Sequence, residues 1–358
     1  DSVDRVHNRY KEHFTVPPVY NVELGSLAAR AGRWLLNSGI IEPSGGVARH
    51  RRIDLARNAP VSTEITGYAV SALLYLHSRT GLPEYREAAL HSAQFLVETA
   101  WDHRSSTFPF EIDAPFAYFF DVGIIIRGLL SAWRATSNED FRKRAVEAGF
   151  SLAFDFLGEG VYHPIIELPE KTAVPYEKRW AREPGCFQLK SALAWYDLGD
   201  EYAEKLFERF FDWSLTVHEQ FLPGSEDREK VMDRLHAYCY FLEGLLAKPS
   251  DPRAIEAMRV GLPRATALHR QIATVFERSD VGAQLLRVRL AAGHLGMTPL
   301  DEQAAQEEAT RVESFFEDEN GFLFGRKGTT PLPYSNPVST AFCLQALEMW
   351  EDHRAGKY

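Results

Sequence analysis

Thr63-Glu-Ile-Thr-Gly-Tyr-Ala-Val-Ser-Ala-Leu-Leu-Tyr-Leu-His-Ser78 is the stretch on which the reading of this chain turns. Small residues and aliphatics occupy nearly every side of the helix it would form, so the segment belongs inside the molecule. Glu64 and Tyr68 stand four residues apart, on one face and just inside the N-terminal end. Five further stretches repeat the design, each an apolar, small-residue-rich helix entered through one polar or acidic residue. They begin near Asp121, Gly185, His236, Asp280 and Asn336.

Amphipathic segments alternate with these buried ones. The first, 23–37, carries Leu24, Leu27, Ala28, Ala31, Trp34 and Leu35 on one face. Others are expected at 84–99, 139–157 (entered through the capping turn Ser137-Asn-Glu-Asp), 201–217, from Pro252 onward and at 300–316. Short turns lead from each buried helix to its amphipathic partner. Long connections, far above the usual ~4–6 residues, lead back. They contain strand-like runs at 108–112 and 160–164, and the last of them includes 321–326. The sixth buried helix, 338–350, has no amphipathic partner after it, and 23–37 has none before it, so the two are expected to pack together and close a ring. Equivalent positions recur at irregular intervals of roughly 43 to 64 residues, which excludes a strict solenoid. All long connections then share one face with the N-termini of the inner helices, and that face is the expected site.

Composition narrows the function classes. The 358 residues are 45% hydrophobic and 25% charged, with a formal net charge of −10. No Lys/Arg-rich run is present, which argues against nucleic acid as a partner. No apolar run approaches the ~20 residues that span a bilayer. Cys186, Cys239 and Cys343 each fall within a buried helix and lack metal-type spacing; they read as free thiols and favour a reducing, cytoplasmic compartment. The chain begins at Asp1, so removal of a signal segment stays open, as does the oligomeric state.

Six helix N-termini at one end of a ring direct free N–H groups at the same space, which suits an anionic or hydroxyl-rich ligand. Glu64, Asp121 and Asp280 at those termini would be held ionised, fitting a base or nucleophile; simple helix capping is the competing role. Tyr68 and His236 complete the candidate catalytic set, with His236 as a cap or proton shuttle. Glu111 and Asp113 lie among Phe108, Phe110, Phe116 and Tyr118, where a carboxyl could be held protonated as a general acid. Tyr162, His163, Tyr176, Arg179 and Trp180 offer stacking rings, cations and an acid–base group for sugars. Arg278, Arg326, Tyr334 and Asn336 would form a rim from the last connections. No phosphate loop, metal motif or nucleophile-elbow motif occurs, so neither cofactor nor metal is called for.

With its hairpins counted, the chain resembles an all-α, single (α/α)6 toroid over residues 21–358, preceded by an arm at 1–20. That architecture serves six-hairpin glycosidases, polysaccharide lyases, sugar epimerases and terpenoid cyclases. Gly45-Gly-Val-Ala-Arg together with Glu64-Ile-Thr-Gly-Tyr is similar to proteins of bacterial polysaccharide clusters. Asp121-Val-Gly with the following Gly-Leu-Leu resembles the C-terminal domain of glucuronyl 5-epimerases. The resemblance implies a glycan substrate, uronic-acid-containing chains included, and hydrolysis, elimination or epimerisation. A non-catalytic glycan-binding or scaffold toroid is the alternative. The Asp-rich and Gln-Trp signatures of squalene-type cyclases are missing, which places a terpenoid reaction behind both.

Overall fold

A computed structural model of the chain describes residues 26–222 and 228–357. The expected arm at 1–20, and Glu23 and Leu24 of the first amphipathic segment, lie outside the described residues. The chain divides into two compact units. One comprises Gly39–Arg49 and Asn58–Asp212; the other comprises Val22–Ser38, His50–Arg57 and Trp213–Tyr358.

In the first unit, buried helix α2 (Thr63–Thr80) turns into amphipathic α3 (Pro83–Phe95). Buried α4 (Phe119–Thr136) turns into α5 (Glu139–Phe154), and α6 (Leu189–Leu198) into α7, which begins at Glu201. Each turn is made by one left-handed residue, Gly81 (φ +70°), Ser137 (φ +58°) or Gly199 (φ +70°), which ends the helix and reverses the chain within a few residues. Outer helices show the expected stripe: Ala203, Leu206, Phe207, Phe210 and Phe211 are the buried apolar positions of α7. Inner helices are buried around most of their circumference because they pack on one another, α2 against α4 and α4 against α6.

The small residues are what permit that packing. A Cβ on Gly67 would lie 2.9 Å from the Ile125 Cα, and one on Gly123 would lie 2.5 Å from the Ser191 Cβ. No side chain fits at either place, so the backbones touch.

The second unit repeats the plan. Helix α8 (Arg228–Leu245) is followed by α9 (Pro252–Ile272), and α10 (Ser279–His294) by α11 (Glu302–Glu313). The last helix, α12 (Pro337–Arg354), packs against α1 (Leu27–Asn37), the expected pairing of the chain's two ends. Gly321 sits on the Trp34 ring and holds a positive φ of 67°, so a side chain there would meet both strain and the indole.

Short strands deliver the chain to the inner helices. Val47–Ala48 pairs antiparallel with Val61–Ser62, which runs into α2; Phe116–Tyr118 pairs antiparallel with Ile165–Glu167 and runs into α4. In the second unit Phe276–Arg278 pairs with Gly325–Lys327 and runs into α10. The 108–112 run, expected as a strand, is instead a loop: the Phe110 carbonyl is taken up by the Thr63 N–H (3.1 Å), and pairing starts only at Phe116. The 160–164 run contributes a single bridge, Leu157 to Tyr162, before the true strand at Ile165. The connection at 321–326 also forms strands, Gly321–Phe322 and Gly325–Lys327, beyond those expected from the sequence.

Candidate active site

Glu64 and Asp121 occupy the first turns of neighbouring helices in the first unit. Ser62, not Glu64, caps α2, accepting from the Ile65 N–H (3.3 Å); α4 has no side-chain cap at all. Neither carboxylate is therefore used up as a cap. Close contact between Gly67 and Ile125, one turn further along, brings the two acids together.

Their electrostatics reverse the expectation that helix termini hold them ionised. Burial pushes Glu64 up to about 7, against the opposing charges of Lys190 and Arg49. Burial, then the Glu64 charge, pushes Asp121 well above the usual carboxylate range, with Arg49 opposing. A helix terminus supplies fractional charge in the first turn, and desolvation outweighs it here. Both side chains keep part of their surface accessible.

Arg49 and Lys190 are the functional residues that sequence reasoning passed over. Arg49 reaches the site because the strand before it is pinned to α2: the Val47 N–H donates to Thr66 Oγ1 (2.9 Å). Gly46 lets that strand pass, since a Cβ there would lie 2.6 Å from the Val61 side chain and 2.9 Å from the Phe95 ring. Arg49 pairs with Glu111 and lies 5.8 Å from the Phe110 ring centre. Phe110 packs edge-on against Tyr118 (5.4 Å), whose hydroxyl is pushed up by burial and by the Asp121 charge. Lys190, only 2% exposed, sits with Nζ 5.1 Å from the Tyr68 ring centre. A lysine within an otherwise small and apolar helix was the available signal.

Other candidates fall elsewhere in this unit. Glu111 is ion-paired with Arg49 at the edge of this site. Asp113 is exposed at a turn with φ +59°. Tyr162 is half-buried, packed on Phe119, Trp195 and Phe210 at 5.2–5.7 Å. His163 Nδ1 meets the Tyr176 hydroxyl at 2.6 Å on the surface, Arg179 is exposed, and Trp180 packs edge-on against Phe187.

The second unit holds a separate buried polar cluster. Arg278 binds Asp280 through two hydrogen bonds (2.6 and 3.0 Å) and Asp233 through a third (2.9 Å). Burial works to raise Asp280, but Arg278 and His236 more than cancel it, so Asp280 stays below the usual range. His236 lies eight residues inside α8 rather than at its start, and so caps nothing. Its Nδ1 is 2.9 Å from Gln284 Oε1 and 3.4 Å from Asp280 Oδ2. Tyr334 stacks on Phe324 beside this cluster. Arg326 does not join it. Strand alternation sends Glu277 to the opposite face from Arg278, and Arg326 follows Glu277 (2.6 Å). Asn336 caps α12, accepting from the Val338 and Ser339 N–H groups (2.8 and 3.1 Å).

No group of His, Cys, Asp and Glu suited to a metal is found among the described residues. The three cysteines are free and buried, and no described helix is long and apolar enough to cross a membrane.

No family model matches the sequence, and no curated protein is significantly similar to it. Solved structures are another matter. Cellobiose 2-epimerase from Bacillus thermoamylovorans matches with a TM-score of 0.68 at 10% identity, over 97% of this chain and 98% of that one. An unsaturated glucuronyl hydrolase specific for heparin matches at 0.64 and 11% identity, over 92% and 97%. The fold is the (α/α)6 toroid. A GH76 α-mannanase from Bacteroides thetaiotaomicron shares it at 0.61 and 13% identity, over 93% and 98%. These neighbours are carbohydrate-active, yet they differ in reaction, so the toroid by itself does not select the chemistry.

Proposed function

We propose that this protein is a carbohydrate-active enzyme that cleaves a glycosidic bond by acid–base catalysis at Glu64 and Asp121. One observation carries the reading: two interacting carboxyls on adjacent inner helices, partly accessible and walled by Phe110 and Tyr118, both hold their protons above the ordinary range. Paired carboxyls in an aromatic-lined setting are the minimum equipment for glycoside hydrolysis.

The surroundings divide the roles. Lys190 and Arg49 both favour the ionised form of Glu64, while only Arg49 does so for Asp121. Asp121, with less positive charge favouring its ionised form, is the acid that donates its proton to the departing glycosidic oxygen. Ionised Glu64 takes a proton from the attacking water as its oxygen bonds to the anomeric carbon. Lys190 holds Glu64 in its basic form, and Tyr118 lies against the donor. The partly exposed Arg49 guanidinium beside the pair can meet a sugar carboxylate, which supports an oligosaccharide bearing uronic acids over a neutral one. Three buried free thiols support a reducing compartment such as the cytoplasm.

The test is product analysis on a panel of neutral and uronate-containing oligosaccharides. New reducing ends without a change of configuration elsewhere are expected, and Asp121→Asn and Glu64→Gln should each lose ~10²–10⁴-fold in kcat/KM. An epimerised or unsaturated product would assign the site to a different reaction, and wild-type binding without turnover would assign it to glycan recognition.

A further inference from the structure

Phe150 and Phe154 of α5 and Tyr202 of α7 stand in a row on the outside of the first unit, with 59%, 55% and 50% of their surfaces exposed. Their planes are nearly parallel. Phe150 and Phe154 have ring centres 6.4 Å apart at 13°, and Phe154 and Tyr202 have centres 6.0 Å apart at 16°. The core side of α5 is already filled by Phe141, Ala145, Ala148 and Leu152, so folding does not call for these rings. Contiguous apolar surface left in water marks a place where something binds.

A cavity of about 580 Å³ opens beside the row, within the range of pockets that hold organic ligands. Phe150, Phe154 and Trp101 line it together with Lys143, Arg144 and Lys171. Arg144 is paired with Glu147 (2.6 Å) and Lys171 with Asp155 (2.7 Å), whereas Lys143 makes no ion pair among the described residues. The cavity thus holds three cations against two acids, in a chain whose net charge is −10. A second concavity of about 400 Å³ shares Trp101 and continues to Pro109 and Asp113. Those residues flank Glu111, the partner of Arg49.

We infer that this strip is an accessory binding surface for an anionic polysaccharide, whose chain passes over Trp101 and the 102–113 loop toward the Glu64–Asp121 pair. Sugar rings present flat C–H faces to parallel aromatic rings, and their carboxylates meet Lys143. A second copy of this chain or a lipid surface would be served by a continuous apolar face; a concave, cation-bearing one fits a linear charged chain. Binding at the strip does not depend on the catalytic reading, although the direction of the chain does. Such a remote contact would raise apparent affinity for a polymer by holding it near the site.

The experiment is affinity electrophoresis of Glu64→Gln protein, which keeps the strip intact, through gels containing polygalacturonate, alginate or neutral galactomannan. Retardation by at least one of the two anionic polymers is expected. Phe150→Ser/Phe154→Ser/Tyr202→Ser should weaken it at least tenfold and Lys143→Glu should weaken it as well, with unaltered circular dichroism. No retardation by either anionic polymer, or equal retardation of the triple variant, overturns the inference. So does a dimer that the triple variant converts to monomer in sedimentation, since the strip would then be a self-interface. Retardation without turnover of any glycan by the wild type leaves the strip standing and removes only the catalytic reading.

Discussion

Gly128 of α4 lies against the backbone of Gly67 in α2, so closely that a Cβ at 128 would stand 2.5 Å from the Gly67 carbonyl oxygen. Backbone contact of this kind leaves no flexible atom to move aside. Gly128→Ala is expected to destabilise the protein by about 1–3 kcal/mol or more, as overpacking does in other cores, measured by urea unfolding. Because the same contact brings Glu64 beside Asp121, the variant should also lose part of the elevation of Asp121. An alanine tolerated without cost would mean that the helices are free to separate.

Burial disfavours the Glu64 charge, and Lys190 is the chief group that favours it. Lys190→Met keeps the stem and removes the charge, so Glu64 should titrate above its present value of about 7. The acidic limb of the kcat/KM profile, which reports the group that must be ionised, is expected to move to higher pH. An unmoved limb would show that Lys190 does not act on the base.

That lysine illustrates what could and could not be read from the sequence. Small residues such as Gly67, Gly123 and Gly128 marked the inner helices as buried, but their backbone contact came only from the structure. The left-handed conformation of Gly81, Ser137 and Gly199, which reverses each hairpin of the first unit, was likewise seen only there. Glu64 and Asp121 were visible as acids at helix starts. Their protonation was not, since it depends on how much water the neighbouring helix excludes. Arg49 sits in a loop whose path is set by a tertiary hydrogen bond from Val47 to Thr66, and nothing local to its sequence specifies that. His236 misled for a related reason: α8 begins eight residues earlier, at Arg228, where exposed Lys230 and half-buried Asp233 and Arg234 interrupt the buried Val231, Met232 and Leu235.

Stability should carry the signature of the acid pair. Folded-state values raised above those of the unfolded chain mean that the folded protein binds extra protons between roughly pH 4 and the raised values. The pair therefore favours folding most at low pH, and that contribution is lost as pH rises through about 7 for Glu64. The double variant Glu64→Gln/Asp121→Asn is expected to melt above the wild type at pH 8, with the gap closing toward pH 4. Thermal melts at both pH values check this; a variant less stable at pH 8 would contradict it.

Asp280 has the opposite sign. Arg278 and His236 hold it below the usual range, so its contribution is present at neutral pH and lost as pH falls through its titration. Arg278→Met leaves a buried, uncompensated carboxylate and should cost about 3–5 kcal/mol at pH 7. Part of that loss should return on acidification, and part on adding Asp280→Asn. Urea midpoints at pH 7 and pH 4.5 give the comparison. A loss independent of pH would point to packing of the arginine stem instead.

The central claim is that Glu64 and Asp121 are electrostatically coupled carboxyls, and carboxyl-carbon NMR titration of the two side chains tests it most directly. The structure predicts Glu64 changing near pH 7 and Asp121 changing well above the usual carboxylate range, with Asp121 moving down when Glu64 is replaced by Gln. Two independent titrations near pH 4, each indifferent to the other residue, would contradict it.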